Sequence, residues 1–75
     1  MYLVDIHPEH GVIAAPQGIE DLDVLAVELL HRHGFRWNDE QELFAALADD
    51  DSAAEYLVAC VAAELLLNGH AVILP

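Results

Sequence analysis

The chain contains no lysine and no threonine, one serine, one cysteine, and only two arginines, Arg32 and Arg36. Each scarcity excludes something. With so few cations there is no surface to meet a phosphate backbone, so direct nucleic-acid binding is not expected. The same deficit turns the chain away from anionic membranes. Cys60 has no partner for an internal disulfide. Flanked by Ala and Val, it reads as a small hydrophobe with no basic neighbour to make a reactive thiolate. Ser52 is better used as a helix cap than as a nucleophile, and no glycine-rich phosphate loop is present. The expectation is a protein that is not an enzyme and carries no cofactor. Met1 is followed by neither a basic region nor a long apolar run, which reads as cytoplasmic.

What the chain has in excess is carboxylate. Fourteen Asp and Glu give a formal net charge of −12 over 75 residues. A charge magnitude of about 2–8 suffices to keep a small domain in solution. The remainder favours a basic partner and speeds its encounter. Apolar residues make up 56% of the chain, enough to build a core despite the charge, so residues 1–75 read as a single compact domain.

The stretch Ser52–Leu67 is the most apolar and the most clearly bounded. Ser52 and Glu55 have the spacing of a capping box, and Asn68-Gly69 tolerate the left-handed backbone that ends helices. Its only charges are Glu55 and Glu64, so it reads as a core helix covered on most sides. It is too short for a bilayer, which needs about 20 apolar residues.

Around it, Tyr2–Ile6 and Val12–Ala15 predict strands joined through the turn His7–Gly11. Ile19–His33 predicts a first helix with Ile19, Leu22, Leu25, Ala26, Leu29 and Leu30 on one face. Acidic residues open it, and His31, Arg32 and His33 close it, as the helix dipole favours. Asn38 with Gln41 predicts the start of a second helix over Asp39–Ala48, burying Leu43, Phe44 and Leu47. His70–Leu74 predicts a last strand. The expected fold is α+β. An N-terminal β-hairpin plus the C-terminal strand form a three-stranded antiparallel sheet, with three helices packed on it in the order ββαααβ. The alternative is a three-helix bundle with frayed extended ends.

Consecutive helices joined by short loops run antiparallel. In that arrangement Glu20, Asp21, Asp23, Asp49, Asp50, Asp51 and Glu55 gather at one end of the domain. Mutual repulsion there is tolerable where a basic partner relieves it. Phe35 and Trp37 flank Arg36 in a connector and, as aromatics, suit an interface as well as a lid over the core. These nine residues are the candidate partner-binding set. His7 and His10 flank a turn, and His31 and His33 diverge on a helix, so no set of three or four metal ligands emerges.

In size, acidity and single-domain layout the chain resembles the small acidic inhibitors made by bacteriophages, which include anti-CRISPR proteins and other DNA mimics. The resemblance implies an inhibitor whose carboxylates stand in for phosphates on a basic, nucleic-acid-binding surface. It carries over no individual residue. Two other roles fit the same composition. One is an antitoxin-like or regulatory subunit masking a basic partner. The other is a self-associating structural domain, a homo-oligomer held by apolar surface.

Overall fold

The computed structural model describes residues Met1 to Pro75, and the chain is α+β. Strands β1 (Tyr2–His7) and β2 (Gly11–Pro16) form the expected hairpin, paired from Tyr2 opposite Pro16 to His7 opposite Gly11. Gly11 is required twice over. Its φ is +80°, and a Cβ there would lie 2.5 Å from the Ala46 carbonyl oxygen. A 3-10 turn at Ile19–Asp21 leads to helix α1 (Val24–Arg32). Strands β3 (Arg36–Asn38) and β4 (Leu43–Ala46), helix α2 (Asp51–Leu67) and strand β5 (Val72–Ile73) complete the chain.

The sheet therefore has five strands in the order β3-β4-β2-β1-β5, with two helices. This overturns the expected three-stranded antiparallel sheet with three helices. The sheet is mixed, because β5 pairs with β1 in parallel while every other pair is antiparallel. Helix α2 carries the chain back to the end where β1 begins, so β5 can only run alongside β1 in the same direction.

The largest departure from expectation lies at Asp39–Ala48, where a turn and strand β4 replace the expected second helix. Asn38 does accept from the Gln41 N–H, at 3.0 Å. That i to i+3 bond starts a helix, but it equally closes a four-residue turn. Leu43–Ala46 then lies against β2, with Ala46 opposite Val12 and Phe44 opposite Ala14. Helix propensity in Leu-Phe-Ala-Ala is worth only tenths of a kcal/mol per residue, and burial of Phe44 and Ala46 with a full ladder outweighs it. Leu47, assigned to a buried helix face, is 86% exposed.

Both helices cover the same sheet face. Tyr2, Val4, Val12, Ala14, Phe44 and Ala46 from the strands meet Ala26, Leu29 and Leu30 of α1 and Ala54, Val61 and Leu65 of α2. Helix α1 starts at Val24 rather than Ile19, because the Asp23 side chain accepts from the Ala26 N–H at 2.8 Å and caps it. Ile19, Leu22 and Leu25 consequently stay on the surface instead of joining the apolar face. His31 and Arg32 do occupy the last turn. Helix α2 spans the predicted residues, but Asp50, not Ser52, is the cap, accepting from Ala53 at 2.7 Å. It is covered on one side only: Tyr56 and Leu67 remain 74% and 85% exposed.

Candidate functional site

The pairing places the acidic residues. Pro16 pairs with Tyr2, so the segment after it, with Glu20, Asp21 and Asp23, lies at one end of the sheet. Ala46 pairs with Val12 beside Gly11, so Asp49, Asp50, Asp51 and, one turn later, Glu55 lie toward the opposite end. The seven carboxylates do not converge. The arrangement that gathered them needed a helix over Asp39–Ala48, and β4 runs the chain the other way.

A different set meets instead. The turn between β3 and β4 holds Asp39, Glu40 and Glu42, and it projects at the Pro16 end, because Leu43 lies one residue beyond the Phe44–Ala14 pair. Glu20, Asp21, Asp23, Asp39, Glu40 and Glu42 thus share one end. Between the turn and the 3-10 segment is an open cavity of about 390 Å³. Pro16, Gln17, Gly18, Ile19, Leu22, Trp37, Asp39 and Glu42 line it.

Each wall has a local cause. Trp37 sits opposite Phe44 in the register, on the helix-covered face, with ring centroids 4.9 Å apart and edge to face. It is on the edge strand, and 38% of its surface stays exposed. Its indole Nε1–H donates to Asp39 Oδ1 at 2.6 Å, which ties the carboxylate to the ring. Glu42 closes the turn at φ +54°, the left-handed region that glycine or asparagine usually fills. Holding a glutamate there costs about 1 kcal/mol. Ile19 and Leu22 form an apolar wall because α1 starts late. The Glu20 carboxylate folds back over Gly18, where a Cβ would meet it at 2.5 Å.

Phe35, the other aromatic candidate, is fully buried among α1 and the sheet. Gly34, at φ +87°, turns the chain inward after α1, and the Phe35 N–H donates to the Leu30 carbonyl at 3.0 Å. It is a core residue, not a contact. Trp37 alone of the pair reaches the surface.

Asp21 is also withdrawn, at 3% exposed. Its carboxylate takes the Met1 ammonium and the Gly18 N–H, the latter at 3.1 Å, with His70 Nδ1 at 3.2 Å. His70 Nε2 lies 2.8 Å from Asp23 Oδ2, so the imidazole bridges the two carboxylates. The Tyr2 hydroxyl donates to the Asp21 carbonyl at 2.6 Å. This cluster staples the 3-10 turn and the start of β5 to the start of β1. Burial pushes the Asp21 carboxyl up, but the hydrogen bonds from Met1, His70 and Gly18 outweigh it and hold it below the usual range. The Ala26 N–H and His70 do the same for Asp23 against a smaller burial effect. Burial first, then Asp21 and Asp23, push the Tyr2 hydroxyl up to about 12.

The Tyr2 shift has a measurable consequence. The folded state holds the proton more tightly than the unfolded chain, whose value is 10.0, so this contribution is fully present below about 10 and is lost as pH rises through about 12. Tyr2→Phe is expected to flatten that alkaline limb in urea titrations and to cost about 1 kcal/mol near neutrality from the lost hydrogen bond.

The remaining histidines disperse. His7 and His10 stack at 4.6 Å, with His7 Nδ1 accepting from the Glu9 and His10 N–H groups. His33 pairs with Glu64 across the helices, and His31 meets the Phe44 ring.

No family model, no curated protein and no solved structure matches this chain. No helix is long and apolar enough to cross a membrane.

Proposed function

We propose that the chain is a non-enzymatic, acidic protein-binding inhibitor that occupies a basic, nucleic-acid-binding surface of a partner, in the manner of the DNA-mimic and anti-CRISPR inhibitors it resembles. The observation that carries this reading is the Pro16 end. Glu20, Asp39, Glu40 and Glu42 stand there exposed, and Asp39 and Glu42 line a cavity with Trp37. Every ion pair in the fold uses the amino terminus or a histidine, so no carboxylate is neutralised by Arg32 or Arg36. Carboxylates left free of internal cations are available to arginines and lysines of a partner. The exposed Asp49, Asp50, Asp51 and Glu55 form a second acidic surface at the other end, which adds to long-range steering.

The test is a pull-down from bacterial lysate with tagged protein at low and high salt. The control carries Glu20→Gln, Asp39→Asn, Glu40→Gln and Glu42→Gln. A nucleic-acid-binding protein should be retained by the wild type, released by salt, and lost with the variant. Exposed pairs of about 0.2–1 kcal/mol each, over four carboxylates, make the combined loss about fourfold to several hundredfold in affinity. Retention of the same partner by the variant at high salt overturns the reading. A single dedicated toxin-like partner would instead mark an antitoxin or regulatory subunit.

A second reading rests on α2. Ala53, Tyr56, Ala59, Ala63, Leu66 and Leu67 form an exposed stripe at helical spacing, which suits self-association. Salt separates the two. At net charge −12, two copies repel, so salt should strengthen a homo-oligomer while it weakens binding to a basic partner. Light-scattering molar mass across a salt series reads this directly, and a constant monomer mass removes the second reading.

A further inference from the structure

We infer that the cavity between Trp37 and the 3-10 turn is a receptor for one arginine side chain of the partner. The inference rests on the basic-partner reading and names the group that the site takes. The cavity has two unlike walls. Ile19 and Leu22 supply apolar surface, Asp39 and Glu42 supply charge, and the Trp37 indole is part of the same lining. An occupant must then be apolar along its stem and cationic at its head. Only lysine and arginine side chains have that form.

The aromatic and the carboxylates select between them. A guanidinium is planar, is weakly hydrated and stacks on an indole, where an ammonium keeps its water. Its forked donors also match carboxylate oxygens set at an angle to one another. Asp39 spends Oδ1 on the Trp37 N–H, which leaves Oδ2 open and fixes the carboxylate beside the ring. The Glu42 carboxylate has no partner within the chain, although its backbone is held in the left-handed region. Neither of the chain's own arginines lines the cavity. The cavity presents two carboxylates, Asp39 and Glu42, fewer than the three or four protein ligands a metal site usually takes. At about 390 Å³ the space accepts a side chain with room for its flanking backbone above the opening.

Trp37 is the only tryptophan, so its fluorescence reports occupancy without a label. The experiment titrates the full chain at low salt with the blocked tripeptide Gly-Arg-Gly, and with the same peptide carrying lysine or citrulline. Fluorescence is followed together with amide shifts by NMR. The arginine peptide should change Trp37 emission saturably and move the amides of Ile19, Leu22 and Glu42. It should bind about fivefold or more tighter than the lysine peptide. Citrulline, which keeps the shape without the charge, should not bind. Asp39→Asn with Glu42→Gln should weaken arginine about tenfold or more, while Asp51→Asn at the opposite end should leave it unchanged. Amide spectra of each variant confirm the fold. Equal binding of citrulline, an equal loss with Asp51→Asn, or shifts spread over the whole acidic surface each overturn the inference. Failure here with a salt-sensitive basic partner still recovered leaves the inhibitor reading standing. Arginine capture with no such partner does the reverse.

Discussion

Phe35→Ala is expected to remove about 3–5 kcal/mol of folding stability, the range for deleting a fully buried aromatic. A 75-residue domain holds only about 4–11 kcal/mol in total, so the loss is a large fraction of the whole and should move the unfolding midpoint strongly downward. The reason is positional. Phe35 is completely enclosed by the cluster that joins α1 to the sheet. Trp37→Ala, two residues on, is expected to cost about 1–2 kcal/mol, because much of the indole is already in water. The pair separates two roles that adjacent aromatics share in the sequence. Urea titration of both variants measures the contrast. A Trp37 loss as large as that of Phe35 would make Trp37 a core residue and remove it from the proposed binding site.

Asp21→Asn should be the next most damaging change, at about 2–3 kcal/mol, the cost of weakening hydrogen bonds to a charged buried acceptor. The substitution keeps the shape, so no cavity forms. It removes the charge that holds the Met1 ammonium and faces an N–H donor toward His70 or Gly18. The 3-10 turn, the start of β1 and the start of β5 all meet at this group, so the loss should be cooperative. The pH dependence follows from the lowered Asp21 and Asp23 carboxyls. A depressed folded value gives stability that is present above the unfolded value of 3.8 and disappears as pH falls through the folded one. Thermal melts carried from about pH 5 down to about pH 2 should show a steep acid loss below the ordinary carboxylate range in the wild type and a shallower one in Asp21→Asn. Identical acid limbs would mean that Asp21 is not the group being protonated.

Parts of this fold are legible in local chemistry. Helix α2 is apolar, alanine-rich and ended by Asn68-Gly69, and it forms where the pattern puts it. The β1–β2 hairpin follows from β-branched runs around a Pro and Gly turn. In α1, Asp23 already announces the true start, because an Asp three residues before Ala26 is a better cap than an interior position. That signal was available in the sequence, and the run of apolar spacing from Ile19 concealed it. The exposure of one side of α2 was not available, since a helix apolar all round gives no face to distinguish.

The candidate site divides in the same way. That Trp37 belongs near a carboxylate-rich turn is visible in Trp-Asn-Asp-Glu-Gln-Glu. Which other carboxylates join it is not, because Asn38 starts a turn and a helix with the same hydrogen bond. Composition, the acidic excess, the absence of lysine, the long apolar helix and the first hairpin belong to the sequence alone, because each depends on residue chemistry or on neighbours within one turn. The β4 strand, the parallel β5, the burial of Phe35 and Asp21, and the placing of Ile19 and Leu22 across a cavity from the Trp37 turn were decided only by the tertiary structure. Each depends on pairing between segments far apart in the chain, where burial and ladder hydrogen bonds outweigh local preferences of a few tenths of a kcal/mol.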